Sequence, residues 1–229
     1  MKSGMLDVGD GHTLYYEEHG AADGQPAVVL HGGPGGGLQR SVLRHFDLRR
    51  WRVILYDQRG CGRSTPYLET RANTTAHLVA DIERLRTHFG VERWTVFGGS
   101  WGSTLALAYA AKHRAAISGL ILRGICLMSL WEQRWMYSEG GASRIFPEAW
   151  AAFTKPVRGA RNVTRSYRKG LSDRRTRRAA ARAWWNWEAT LSTLKPRHDT
   201  TSADKVTSLA VLENHYFYHN AWTSAEHLL

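Results

Sequence analysis

Short apolar runs alternate with segments of helical spacing through the first half of the chain. The β-type runs predict strands at residues 13–17, 27–30, 52–56, 94–97 and 119–122. Residues 74–89 and 103–113 repeat apolar side chains every three or four positions, which predicts helices. Apolar strands separated by helices favour an α/β fold, with a mostly parallel sheet covered by helices on both faces.

The pattern changes after about Cys126. Strand signals fade, and Trp, Arg and Ala dominate a segment that predicts helices at residues 130–139, 164–169, 174–193 and 207–218. We interpret this segment as a second, helical unit. The predicted division is residues 1–125 for the sheet-containing part and residues 126–229 for the helical part.

Composition narrows the class of protein. The chain has 229 residues, 43% of them hydrophobic, which is enough to bury a sizeable core. No apolar run reaches the ~18–20 residues that span a bilayer, and the N-terminal residues lack the apolar core of a secretory signal. Only Cys61 and Cys126 are present, which excludes a cysteine-rich zinc fold and favours a reducing compartment. We therefore expect a cytoplasmic protein without a membrane partner.

The formal net charge of +11 is concentrated in residues 155–182. That stretch carries one acid, Asp173, against the basic residues Lys155, Arg158, Arg161, Arg165, Arg168, Lys169, Arg174, Arg175, Arg177, Arg178 and Arg182. Such a stretch can bind nucleic acid or an anionic surface, or it can be the solvated face of a helix. Because no nucleic-acid-binding motif accompanies it, we favour the solvated face and expect no nucleic-acid partner.

The strongest chemical signal is GGSWG at residues 98–102. It fits G-x-S-x-G between a predicted strand and a predicted helix, the context in which a sharp turn exposes a nucleophilic hydroxyl. The flanking glycines would allow the strand and helix to pack closely, and the helix N-terminus would supply backbone N–H groups. Ser100 is therefore the predicted nucleophile.

The Gly-rich loop HGGPGGG at residues 31–37 follows another predicted strand. Upstream of a nucleophile, such a loop can offer a backbone N–H to a developing oxyanion. Proline has no N–H, so we assign this donor to Gly33 and the second donor to Trp101, the residue after the nucleophile. The loop lacks the GK[ST] ending of a phosphate-binding loop. We expect His31 to be a structural hydrogen-bonding residue and not the catalytic base.

Taken together, HGGPGGG, DQRGCGRS and GGSWGSTLALAYA resemble the α/β-hydrolase superfamily. More narrowly, they are similar to the proline iminopeptidase (prolyl aminopeptidase) family. The resemblance continues through LRG at 122–124, GGAS-x-x-FP at 140–147, AAARAWWNWE at 179–188 and LENHYF at 212–217, so it covers nearly the whole chain. It implies an α/β-hydrolase core and a helical cap.

The resemblance also implies roles for individual residues. Ser100 corresponds to the family nucleophile, and Gly33 and Trp101 correspond to the oxyanion-hole residues. Glu188 and Glu213 correspond to two cap glutamates that bind the free α-amino group of the substrate. Charge-assisted hydrogen bonds from carboxylates in a closed pocket suit a terminal ammonium.

Two further residues take roles from the family, and two depart from its pattern. Arg123, in the LRG motif, would balance the two acids, and Phe217 would flank the proline ring. Cys126 and Met136 stand where the family often has aromatic residues. Strict selectivity for proline is therefore in question, because a softer wall replaces an aromatic one.

An α/β-hydrolase orders its triad as Ser, then Asp or Glu, then His. In the family, both partners follow the cap, and no strand carrying them is recognisable after residue 217. Other polar residues in the second half, none of which follows a predicted strand, are expected to be structural: His198, His215, His219, His227, Asp199 and Asp204. The expectation is a C-terminally truncated core that is inactive as written, because Ser100 lacks a base.

The predicted function is a serine aminopeptidase that releases N-terminal proline from peptides, without a metal or organic cofactor. One alternative is a general ester or amide hydrolase of the same fold, since the nucleophile turn serves many reactions. A second alternative is a non-catalytic fragment whose basic cap binds anions.

Overall fold

A computed structural model of the chain describes residues 1–193 and 201–229. Six strands form its sheet: β1 (Lys2–Asp7), β2 (Thr13–Gly20), β3 (Gln25–Leu30), β4 (Trp51–Tyr56), β5 (Trp94–Gly99) and β6 (Ile117–Arg123). Their spatial order is β1-β2-β4-β3-β5-β6. The pairs β3/β4, β3/β5 and β5/β6 are parallel, and β2 pairs antiparallel with β1 and β4. The mostly parallel sheet is confirmed, and β1 is an antiparallel strand that the sequence did not predict.

The central strands bury both of their faces, as their continuous apolar runs require. In β3, Val28 lies in the larger core beneath helices α1 (Thr75–His88) and α2 (Trp101–His113), whereas its neighbour Val29 faces the opposite side. On that opposite side, Val29 packs with Leu43 and Phe46, at the short 3₁₀ turn Arg40–His45. Helical segments therefore cover the sheet on both faces, as predicted.

After β6, every regular element in the described residues is a helix. This part of the chain contains α3 (Leu130–Tyr137), α4 (Ala142–Ile145), α5 (Pro147–Thr154), α6 (Val163–Ser172), α7 (Arg177–Ser192), α8 (Ala203–Tyr218) and α9 (Ala225–Leu228). Four of these match the helices predicted from the sequence, and α4, α5 and α9 were not predicted. Across residues 1–193 and 201–229, no helix combines the length and apolar character needed to cross a membrane.

Aromatic side chains form the interior of the helical part. Phe153 stacks on Tyr167 and on Trp187, with ring centroids 4.9 and 5.5 Å apart, and Tyr137 stacks on Trp184 at 5.0 Å. All five residues are nearly or fully buried. Large rings in such contacts contribute strongly to packing energy, so they hold α3, α5 and α6 against α7.

Helix α8 also joins the helical part to the sheet. The Tyr216 ring packs edge-on against Trp101 at the start of α2, with centroids 4.7 Å apart. The Tyr216 hydroxyl donates to the Asn73 side chain at 2.8 Å, and the Ser208 hydroxyl donates to the Gly35 carbonyl at 3.0 Å. One helix therefore lies over both the Gly-rich loop and the turn that carries Ser100.

Candidate active site

Ser100 occupies a strained turn between β5 and α2. Its backbone has φ 54° and ψ −124°, a region that residues with a side chain rarely adopt. The Ser100 N–H donates to the Arg123 carbonyl at 2.9 Å, and both the N–H and the hydroxyl of Ser103 donate to the Ser100 carbonyl, at 2.7 and 2.6 Å. These bonds hold the residue in the conformation that the G-x-S-x-G pattern predicts.

Two glycines make this turn sterically possible. A β-carbon at Gly102 would lie 2.0 Å from the Leu30 carbonyl oxygen, and one at Gly98 would lie 2.2 Å from the Gly102 carbonyl oxygen. Neither distance is compatible with any side chain. The close packing of strand and helix that the sequence predicted is confirmed, and it requires glycine at both positions.

The Gly-rich loop lies directly beside the nucleophile turn. A β-carbon at Gly32 would be 3.3 Å from the Ser100 β-carbon. Gly33 follows with φ +110°, and Trp101 is the first residue of α2. Within residues 1–193 and 201–229, neither the Gly33 N–H nor the Trp101 N–H donates to an acceptor. Both predicted oxyanion donors are therefore available for a ligand.

His31 is held by hydrogen bonds on both ring nitrogens. Its Nε2 accepts from the Gln58 N–H at 3.1 Å, and its Nδ1 lies 2.9 Å from the Gly32 carbonyl oxygen. Burial lowers the pKa of His31, which favours the neutral ring that this pattern needs. The structural role predicted for His31 agrees with this geometry.

Gln58 is a residue of the site that the sequence analysis missed. Its side-chain amide donates to the His31 carbonyl at 2.9 Å and accepts from the Trp101 indole N–H at 3.0 Å. Gln58 therefore links the Gly-rich loop, through hydrogen bonds, to Trp101, the residue after Ser100. The available signal was its position: Gln58 follows β4, whose carboxyl end lies beside that of β3.

Helices α7 and α8 bring Glu188 and Glu213 together in the helical part. The Tyr137 hydroxyl donates to Glu188, and the Trp184 indole N–H donates to Glu213 at 2.6 Å. Burial raises the pKa of Glu188 to about 7. Burial, and then the charge of Glu188, raise the pKa of Glu213 well above its usual value. Phe217 lies beside them, 5.1 Å from the Tyr137 ring.

Cys126 lies between this acid pair and the nucleophile turn. Its N–H donates to the Ser103 hydroxyl at 3.0 Å, and its carbonyl accepts from the Thr104 hydroxyl at 2.7 Å, so it is attached to the first turn of α2. Burial raises the pKa of Cys126, and the charge of Glu188 adds to the rise. The acids thus lie within electrostatic reach of a residue that contacts the turn after Ser100.

Arg123 does not accompany the acids. It lines the cleft that contains Ser100, and neither glutamate lines that cleft. No ion pair or hydrogen bond joins it to Glu188 or Glu213, and its charge is not among the influences on either acid. The predicted role of Arg123 as their charge partner gains no support from these contacts.

The described histidines of the second half are engaged elsewhere. His215 Nε2 lies 3.0 Å from the Asn73 carbonyl oxygen, and burial lowers the pKa of His215 to about 4. His219 stacks on Trp222 at 4.7 Å, and His227 lies 2.9 Å from the Ser224 hydroxyl.

No histidine in residues 1–193 and 201–229 hydrogen-bonds the Ser100 hydroxyl. The remaining candidates differ in position. Asp204 accepts the Tyr67 hydroxyl at its backbone carbonyl, at 2.5 Å, whereas His198 and Asp199 lie outside the described residues.

One cluster has the residue types of a metal site. His31, Asp57 and Cys61 have ligand atoms within 4.8 Å of one another. However, the two Asp57 carboxylate oxygens accept the Leu38 and Arg63 N–H groups at 2.7 and 2.9 Å. Burial raises the pKa of the Cys61 thiol, which disfavours the thiolate that binds metals. The cluster therefore connects neighbouring loops through hydrogen bonds.

The basic stretch lies on α6, on the start of α7 and on the turns beside them. Two of its side chains, Arg165 and Arg168, lie over the Tyr218 ring, at 5.8 and 4.3 Å from the ring centroid. These contacts leave the charged groups near solvent, which suits the solvated face predicted from the sequence.

Comparison with known proteins identifies the class. Residues 26–221 match the family model of the alpha/beta hydrolase fold. The chain is 48% identical to a proline iminopeptidase of Xanthomonas citri, over 98% of this chain and 74% of that protein. It is 46% identical to a proline iminopeptidase of Xylella fastidiosa, over 97% of this chain and 74% of that protein. The chain belongs to the proline iminopeptidase family.

A solved structure is consistent with the fold. The crystal structure of proline iminopeptidase from Mycobacterium smegmatis superposes with a TM-score of 0.53, at 24% identity, covering 82% of this chain and 68% of that one. At that identity the likeness concerns the fold alone.

Proposed function

We propose that this chain is a serine aminopeptidase that releases N-terminal proline from peptides. In this proposal, residues 1–125 are the hydrolase core and residues 126–229 are the cap. The observation that carries it is the pair of neighbouring acids in the helical part, Glu213 buried and Glu188 half-buried, in a chain that also has the strained turn of Ser100.

The acid pair suits an N-terminal ammonium. Two neighbouring carboxylates in an apolar surrounding repel each other when both are charged. Burial raises the pKa of both acids, and the charge of Glu188 adds to the rise for Glu213. A bound cation relieves this repulsion. The protonated secondary amine of an N-terminal proline has two N–H groups, one for each carboxylate. Phe217 and Tyr137 provide aromatic surface for the ring beside them.

The nucleophile turn suits attack on the proline carbonyl. The Ser100 hydroxyl attacks, and the free N–H groups of Gly33 and Trp101 stabilise the oxyanion. Trp101 N–H lies at the N-terminus of α2, where the helix dipole adds to this stabilisation. As the Ser100 Oγ–C bond forms and the C–N bond breaks, the serine proton passes to the leaving amine. Water then hydrolyses the acyl ester, which releases proline and restores the Ser100 hydroxyl.

The first experiment measures ligand binding, which does not require a general base. Prolinamide and N-acetylprolinamide are titrated calorimetrically against the wild type, Glu188→Gln and Glu213→Gln. Prolinamide should bind more tightly, by at least about tenfold, because the acetyl group removes the ammonium. Each substitution should reduce that preference, and Glu148→Gln, at an exposed position on α5, should leave it unchanged. Equal binding of both compounds would overturn the proposal.

The second experiment measures turnover of proline p-nitroanilide against p-nitrophenyl acetate. It is run with and without added imidazole, which can serve as a general base, because no described histidine reaches Ser100. Hydrolysis of the prolyl substrate that Ser100→Ala abolishes supports the aminopeptidase. Hydrolysis of the ester alone would favour a general ester hydrolase instead.

A further inference from the structure

The cleft that contains Ser100 has cationic side chains in its lining. It has a volume of about 340 Å³, and its lining includes the cationic side chains of Arg44, Arg123 and Lys205. No carboxylate is among the described residues that line it. This charge distribution is opposite to that of the acid pair.

These three cations have no carboxylate partner among the described residues, which separates them from other arginines nearby. Arg40, on the same 3₁₀ turn as Arg44, binds the buried Glu17 carboxylate at 2.7 Å. Arg44 instead has only a weak contact, from its Nε to His45 Nε2 at 3.5 Å. An unpaired cation that lines a cleft is available to an anionic ligand.

Lys205 acts on the part of the cleft next to the nucleophile. It lies on α8, which covers the Gly-rich loop, and its charge adds to the lowering of the pKa of His31 that burial causes. The ammonium group is therefore within electrostatic reach of the loop that carries Gly33.

We propose that Arg44 and Lys205, together with Arg123, bind a carboxylate on the leaving-group part of the substrate. The inference rests on the proposed function. A peptide whose ammonium is bound by Glu188 and Glu213, and whose proline carbonyl is at Ser100, has its remaining part outside the acid pair. Because neither acid lines the cleft, that remaining part lies among the cations.

Two sources of this carboxylate have the same chemistry. It is either the C-terminal carboxylate of a short peptide or the side chain of an acidic residue after the proline. In both cases the substrate is dipolar, with an ammonium at the acids and a carboxylate at the cations. Short zwitterionic prolyl peptides are therefore the preferred substrate class.

The test is calorimetric binding to the Ser100→Ala protein, which prevents turnover during titration. The ligands are Pro-Gly, Pro-Gly-amide and N-acetyl-Pro-Gly, each in low salt and in 1 M NaCl. Pro-Gly should bind about tenfold more tightly than its amide in low salt, and the difference should shrink in high salt. The binding of Pro-Glu-amide is compared with that of Pro-Gln-amide, which tests separately whether an acidic side chain after the proline supplies the carboxylate.

Variants assign the effect to residues. Arg44→Gln and Lys205→Gln should each reduce the preference for Pro-Gly over its amide several-fold, and the double variant should reduce it further, to what Arg123 alone provides. Arg49→Gln is the matched control, because Arg49 is an exposed arginine, paired with Asp47, that does not line the cleft.

The outcomes separate this inference from the proposed function. Preference for free over acetylated proline, without any preference for a carboxylate, overturns the inference and leaves the aminopeptidase standing. Equal binding of Pro-Gly and N-acetyl-Pro-Gly overturns both. A carboxylate preference that is undiminished in the double variant also overturns the inference, because Arg44 and Lys205 would then not contribute to it.

Discussion

Replacing Glu188 by glutamine should change how the stability of the protein depends on pH. Glu188 is half-buried beside Glu213, and its desolvation raises the pKa of Glu188 from 4.5 to about 7. The folded protein therefore holds this proton more tightly than the unfolded chain does. Stability from this group is fully present below about pH 4.5 and is lost as the pH rises to about 7.

The size of the effect follows from the shift. At about 1.4 kcal/mol per pKa unit, the ionised Glu188 lowers the free energy of unfolding at pH 8 by about 3 kcal/mol relative to pH 4. His215 acts in the opposite direction, because burial lowers the pKa of His215 from 6.5 to about 4. The wild-type curve alone therefore mixes opposing trends, and the difference between variant and wild type reports Glu188 together with its effect on the pKa of Glu213.

The assay is urea unfolding followed by tryptophan fluorescence at pH 5, 6, 7 and 8. The stability of Glu188→Gln minus that of the wild type should increase with pH over this range, by about 2–3 kcal/mol in total. Glu148→Gln replaces an exposed carboxylate and should give a flat difference. A flat difference for Glu188→Gln as well would show that Glu188 is not held in an apolar site, and the reasoning would fail.

Two further perturbations test the fold. Gly102→Ala should lower the free energy of unfolding by about 3 kcal/mol, because the new methyl group would lie 2.0 Å from the Leu30 carbonyl oxygen. In the same urea assay, Gly119→Ala should change the free energy of unfolding by under about 1 kcal/mol, because a methyl group there would make contacts at ordinary distances. Ile121→Lys should raise the monomer fraction in size-exclusion chromatography, because β6 pairs only with β5 in the described sheet and exposes Leu120 and Ile121. An unchanged aggregated fraction would show that this edge is not the site of association.

The fold was predictable where burial dictates the sequence. Strands β3 and β4 are buried on both faces over their last four residues, so those residues must form continuous apolar runs. Strand β1 escaped prediction because Lys2–Asp7 is an exposed edge strand, joined to β2 through backbone hydrogen bonds that no side-chain pattern records. Helix α5 escaped for a related reason, since only Phe153 in it is fully buried and a single apolar position defines no period.

The residues of the candidate site also fall into those that the sequence predicts and those that it does not. Ser100 and its flanking glycines were predictable because one turn requires them, and the residues of a turn are neighbours in the sequence, where they form a recognisable motif. Gln58 was missed because its partner Trp101 is distant in the sequence, and only the folded sheet brings them to one edge. Tyr137 and Trp184, which bond the two acids, were missed for the same reason.

The free-energy cost of placing two acids side by side is connected with the aromatic rings that surround them. Two ionised carboxylates in a wet, open cap would repel each other weakly and would gain little from a bound ammonium. The rings of Tyr137, Trp184 and Phe217 exclude water, so the repulsion between Glu188 and Glu213 becomes large in the free protein. A ligand cation then relieves a destabilisation that the fold already carries. If the acids bind a terminal ammonium, as proposed, the same burial that weakens the unliganded helical part strengthens that binding, and the stabilisation by ligand is greatest where both acids are ionised.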